Sequence, residues 1–172
     1  MKNTDTPEKI LELLFSYPLR SFHLREISRL LNISPSSISR YLKDLKKQEL
    51  IVVNDEKFVY EIKAKLDNPK FKNLKRAYNI KKLYDSGLLE YLKEHLPLMT
   101  IILFGSYSRG DDTEKSDIDI AIDGNEKKLK LDVYEKKLNR PINIEFINIK
   151  KITKELKNSL INGIVLEGYV SD

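Results

Sequence analysis

Asp117 and Asp119 stand at alternate positions of the run Asp117-Ile118-Asp119-Ile120-Ala121-Ile122. Successive side chains of a strand point to opposite faces, so the pattern predicts both carboxylates on one face and the three isoleucines on the other, buried one. Two carboxylates held that close repel unless a cation sits between them. Hard divalent ions such as magnesium take carboxylate oxygens together with substrate phosphates, so these residue types point to a metal-bound triphosphate. Upstream, the apolar run Thr100 to Phe104 ends in Gly105-Ser106. Small residues there let the backbone approach phosphate oxygens and offer N–H groups and a hydroxyl. Arg109 can add a charge-assisted contact.

A third carboxylate is expected nearby. In Pro141-Ile142-Asn143-Ile144-Glu145-Phe146-Ile147 the residues Ile142, Ile144 and Phe146 fall on one face, with Asn143 and Glu145 on the other. If this strand pairs beside the aspartate strand, Glu145 joins the acidic face. Three carboxylates around two metal ions stabilise the attacking and leaving oxygens of an in-line phosphoryl displacement, with Glu145 placed to help deprotonate the incoming hydroxyl.

Gly105-Ser106, ten intervening residues and Asp117-x-Asp119, with Arg109-Gly110 inside and Glu145 on a later strand, form one signature. Over roughly residues 86 to 172 the chain resembles the minimal nucleotidyltransferase family of the DNA polymerase beta-like superfamily. The resemblance implies a short mixed sheet with flanking helices, two Mg2+ ions, and transfer of a nucleoside monophosphate from a triphosphate to a hydroxyl with release of pyrophosphate. Carried onto this chain, it has Gly105 and Ser106 holding phosphates, Asp117 and Asp119 binding both metals, and Glu145 as third ligand. Many relatives carry aspartate at that third position. Antitoxins of this family transfer AMP from ATP to a tyrosine of a companion HEPN-type toxin, which names ATP as donor and a toxin as partner.

The chain has 172 residues, enough for two small domains with modest cores. It has no cysteine, which excludes disulfides and thiolate-metal sites. No apolar run approaches the roughly 18 to 20 residues of a membrane span, and the N-terminus lacks a signal-like core, so no membrane association and a cytoplasmic location are expected. His23 and His95 lack metal-ligand spacing and are read as structural or surface residues.

The N-terminal third has its own organisation. Residues 7 to 17 carry apolar side chains at helical spacing, and Ser21 is expected to cap a second helix with Leu24, Ile27, Leu30 and Leu31 on its buried side. Ser34 caps a third, with Pro35 at its first position and Ile38, Leu42 and Leu45 inward. Leu50 to Val53 and Phe58 to Ile62 then read as a hairpin. Three helices and a hairpin resemble a winged helix-turn-helix, although Glu49 stands where relatives often carry glycine. The resemblance implies a third helix in the major groove of double-stranded DNA, with Ser36, Ser37, Ser39, Arg40 and Lys43 at the duplex and Lys57 at the wing tip. A palindromic operator would require a homodimer.

Charge is unevenly distributed. Basic and acidic side chains number ten and nine over residues 1–62, nine and four over 63–95, and twelve and thirteen over 96–172. The excess lies in the middle, from Lys63 to Lys82, where it can meet nucleic-acid phosphates or an acidic partner, or form a solvated helix face.

The expected architecture is therefore α+β: a winged helix-turn-helix over 1–62, a basic helical linker over 63–85 and a nucleotidyltransferase over 86–172. Ser86 is expected to cap the helix leading into the first catalytic strand, and a helix over 152–160 to precede a short apolar run. The expected function is Mg2+-dependent nucleotidyl transfer, most specifically adenylyl transfer, combined with autoregulatory DNA binding. The alternative is a transcription regulator whose second domain binds nucleotide without catalysis, or only supports oligomerisation.

Overall fold

The computed structural model describes residues 6–56 and 59–170. These form two compact units, residues 1–75 and 76–172, so the helix expected as a linker is shared between them.

The first unit opens with α1 (Thr6–Ser16), followed by the two-residue strand β1 (Phe22–His23) and α2 (Leu24–Leu31). Ser21 does not cap α2. The cap is His23, in a reciprocal box with Glu26, because Phe22 and His23 extend to pair with a later strand. Ile27 is fully buried whereas Leu30 is 55% exposed, so the apolar stripe of α2 is narrower than its spacing predicts. Asn32 ends the helix in the left-handed conformation, a role that Asn accepts at low cost.

Helix α3 (Pro35–Lys47) starts as expected. Ser34 accepts from the Ser37 amide at 3.3 Å, Pro35 occupies the first turn, and Ile38, Leu42 and Leu45 are buried. Glu49 has φ +56°, so this glutamate adopts the backbone that glycine adopts freely. Strands β2 (Ile51–Glu56) and β3 (Val59–Ala64) form the hairpin, and β3 also pairs with β1, giving the order β1-β3-β2. Lys63 therefore belongs to a strand rather than to a connector.

Helix α4 (Pro69–Ser86) follows. Its positive charge is partly spent locally: Lys75 is buried, Lys81 bonds Asp85, and Lys70 bonds Gln48 at 2.9 Å.

The second unit continues with α5 (Leu88–His95), β4 (Thr100–Phe104), α6 (Gly105–Arg109) and β5 (Ile118–Asp123). Then come α7 (Asp132–Leu138), β6 (Ile142–Ile147), α8 (Lys154–Ile161) and β7 (Ile164–Glu167). Gly87, not Ser86, is the cap residue of α5, but the Ser86 hydroxyl still accepts from the Leu88 amide at 3.1 Å. Helix α7 escapes the sequence reading. It supplies the crossover that the parallel pair β5–β6 requires.

The sheet order is β6-β5-β4-β7, with β5–β6 parallel and the other pairs antiparallel. One face carries Ile101, Leu103, Ile118, Ile120, Ile122 and Ile142, buried with Leu88, Leu89 and Leu92 of α5 and Leu138 of α7. The opposite face carries Ile102, Phe104, Ala121 and Ile147, covered in part by Leu160 of α8. Full burial of each branched side chain contributes roughly 1.5–3 kcal/mol, which fixes the register and with it the face on which the aspartates emerge.

Candidate active site

The acidic face is built by three neighbouring strands. Asp119 on β5 lies opposite Phe104 of β4 and Asn143 of β6. Asp117 immediately precedes β5 and is exposed, while Asp119 is half-buried. Asp119 emerges on the face opposite the isoleucines.

Gly105 follows Phe104 and begins α6 rather than a simple turn. Its φ is +71°, and a Cβ placed there would lie 2.2 Å from Asp119 Oδ2. The missing side chain thus makes room for the Asp119 carboxylate itself. Ser106 is half-buried in the first turn, and its carbonyl accepts from the Asp111 amide at 3.0 Å. Arg109 is exposed and pairs with Asp111, Nε to Oδ2 at 3.2 Å, so in this arrangement it addresses its own loop.

Glu145 lies on the acidic face, but β5–β6 register sets it opposite Ala121, two pairs beyond Asp119. Asn143 takes the position opposite Asp119, and its Nδ2 donates to Asp119 Oδ1 at 3.3 Å. Among the described residues, no three His, Cys, Asp or Glu side chains converge closely enough to hold a metal ion. The structure brings Asp119 and Gly105 together, leaves Asp117 two residues before Asp119 at the strand's edge, and pairs Glu145 with Ala121 rather than with Asp119. Asn143 shares the polar face with Glu145 in the sequence pattern; only the register shows which of them meets Asp119.

The loop between α6 and β5 is pinned from below. Asn79 of α4 donates to the Tyr107 carbonyl at 2.9 Å and to Asp112 Oδ1 at 2.7 Å. Asp112 is buried, with Arg140 Nη2 4.0 Å from its Oδ2. Arg140 Nη1 also donates to the Glu114 carbonyl at 3.2 Å, and the Ile118 amide donates to the Pro141 carbonyl at 2.9 Å. These contacts fix the segment that delivers Asp117. Nothing in local periodicity marks Asn79, Asp112 or Arg140, because their partners lie far along the chain. Tyr107 packs into the core, and burial together with the neighbouring Asp112 raises its hydroxyl pKa well above the usual value.

Two carboxylates two residues apart, one of them seated over the Cβ-free Gly105, suit a hard divalent ion that takes its remaining ligands from phosphates and water. The donor set thus fits magnesium without requiring a third protein carboxylate.

In the first unit, α3 presents Ser36, Arg40 and Lys43 to solvent, with Ser37 and Ser39 half-buried. The Ser34 hydroxyl lies 3.1 Å from that of Ser36 and 2.9 Å from that of Ser37, so two of the expected contact serines are engaged at the helix cap. The Arg40 guanidinium lies over the Tyr41 ring at 4.9 Å and donates to its hydroxyl at 3.1 Å. Lys57, expected at the wing tip, lies outside the described residues.

Residues 85–167 match the family model described as a nucleotidyltransferase domain, and residues 8–53 match that of the bacterial regulatory protein arsR family. No curated protein and no solved structure matches the chain.

Proposed function

We propose, from the premise that this chain joins an ArsR-type helix-turn-helix to a nucleotidyltransferase domain, that it transfers AMP from ATP to a hydroxyl acceptor and binds DNA to regulate its own synthesis. The observation that carries this reading is the Asp119 carboxylate seated over Gly105, in the space a Cβ would fill, two residues after Asp117 and at the start of α6. Asp117 and Asp119 would hold Mg2+, and two ions suit an in-line displacement. When bound, magnesium supplies charge neutralisation at the phosphates and at both the entering and leaving oxygens.

The protein's part is placement. Gly105 and Ser106 admit the phosphates against the start of α6. The acceptor oxygen forms a bond to the α-phosphorus, and the bond from that phosphorus to the oxygen bridging the β-phosphate breaks. Pyrophosphate leaves with the electron pair. Glu145, a further carboxylate on that face, is assigned the acceptor's proton. Arg109 would exchange Asp111 for a phosphate oxygen.

The acceptor in this reading is a tyrosine of a HEPN-type toxin, on the strength of the resemblance to antitoxin nucleotidyltransferases. A cytoplasmic site of action accords with a DNA-binding domain; among the described residues no helix is long and apolar enough to cross a membrane.

A second reading makes the domain a nucleotide sensor for a dimeric regulator. The placement of Glu145 beside Ala121 rather than Asp119 favours it. Incubation with ATP labelled at the α-phosphate, Mg2+ and the toxin discriminates the two. Label on the toxin, lost with Asp117→Ala, supports the enzyme; saturable ATP binding with no label on the acceptor supports the sensor.

A further inference from the structure

We propose that Asn143 is a positioning residue that holds the Asp119 carboxylate in the orientation needed to accept a divalent ion bound to triphosphate; this rests on the metal-triphosphate reading of the site. Parallel pairing sets Asn143 directly opposite Asp119, and its Nδ2 donates to Oδ1 at 3.3 Å. The other oxygen, Oδ2, lies over Gly105, within 2.2 Å of where a Cβ would sit. Each oxygen of Asp119 therefore has a distinct environment: one meets an amide donor, and the other lies at the opening left by the glycine.

The chemistry of the amide suits that task. A hydrogen bond to one oxygen of a ligating carboxylate orients it and tunes its basicity. An aspartate in place of Asn143 would set a like charge opposite Asp119 and destabilise the metal-free strand pair. An amide supplies a donor without adding charge. It cannot accept the acceptor's proton, so Asn143 orients a ligand and performs no acid–base step. Glu145, two residues on, has the Ala121 methyl opposite it, which offers no hydrogen bond.

Asn143 is exposed, so its truncation opens no cavity in the core. A packing role and a positioning role therefore separate cleanly. The test uses the full chain with Asn143→Ala and, to keep side-chain volume, Asn143→Leu. Affinity for Mn2+ with a non-hydrolysable ATP analogue is measured by calorimetry, alongside metal-free melting and the side-chain amide signals of Asn143 by NMR.

The expected result is roughly 10- to 100-fold weaker metal-nucleotide affinity in both variants, the range for lost partners of metal ligands, with metal-free melting unchanged. In a chain that keeps Asn143, Asp119→Ala should shift the Asn143 amide signals from their wild-type positions. Wild-type affinity in both variants overturns the inference while leaving the metal-triphosphate reading intact. Amide signals indifferent to Asp119→Ala also overturn it. No metal-nucleotide binding by folded wild type overturns the reading itself, and the inference with it.

Discussion

Asp119 Oδ2 occupies the space that a Cβ on Gly105 would fill, at 2.2 Å. Glycine is thus required here for two reasons, the left-handed φ of +71° and the carboxylate lying over its Cα. Gly105→Ala should cost roughly 1–2 kcal/mol for the backbone conformation alone. Because the obstructing atom ends a side chain, the fold survives and the carboxylate swings aside. Metal-nucleotide affinity should fall at least about tenfold. Urea unfolding and calorimetry on the same variant check both parts; unchanged affinity would contradict the link between Gly105 and the metal site.

Asp112 and Arg140 are buried together, and Asn79 bonds the same carboxylate. Removing one member of such a pair leaves an uncompensated charge, a cost of about 3–5 kcal/mol. Asp112→Ala should destabilise the chain on that scale in urea unfolding and loosen the loop that delivers Asp117. A loss of less than about 1 kcal/mol would show that the network contributes little to holding the loop.

Tyr107 has a raised pKa because burial, aided by the Asp112 charge, penalises its phenolate. The unfolded chain releases this proton near pH ~10 whereas the folded chain retains it. The folded state then binds more protons, so stability falls as pH rises above about 10. Tyr107→Phe should flatten that alkaline decline while leaving the curve below about pH 9 parallel to wild type. Equal alkaline slopes in the two proteins would contradict the assignment.

The fold and the site differ in how far they could be read from residues alone. Alternation in Asp117 to Ile122 identifies the strand and its acidic face because period 2 is local. Likewise Ser34-Pro35 marks the start of α3, since cap chemistry needs only neighbouring residues. Register is not local. The polar face Asn143–Glu145 is legible, but which residue meets Asp119 depends on how β6 slides along β5, and the carboxylate is the more obvious ligand by type. Ser21 fails as a cap because Phe22 and His23 pair with Ile62 and Glu61, a contact nearly forty residues away in sequence. The Asn79–Asp112–Arg140 cluster and α7 are hidden for a similar reason: polar residues in loops and helix faces reveal their burial only once the sheet is assembled.

On α3, Arg40 is exposed at the surface expected to face DNA and is held over the Tyr41 ring. If it reads a base edge, Arg40→Ala should weaken operator binding by roughly 1–3 kcal/mol and relax specificity at one position. If it contacts phosphate, affinity should fall evenly across sequences and the salt slope should drop by about one. Fluorescence titrations at several salt concentrations separate these outcomes. Unaltered affinity and slope would remove Arg40 from the interface.

The proposed function depends on Asp117 and Asp119 forming a metal-triphosphate site. It is tested most directly by calorimetric titration of ATP, with and without Mg2+, into wild type and the Asp117→Ala, Asp119→Ala double variant. The expected result is Mg2+-dependent binding by the wild type and none by a double variant whose circular dichroism and melting show it folded. Equal binding by both proteins, or no binding by a well-folded wild type, would contradict it.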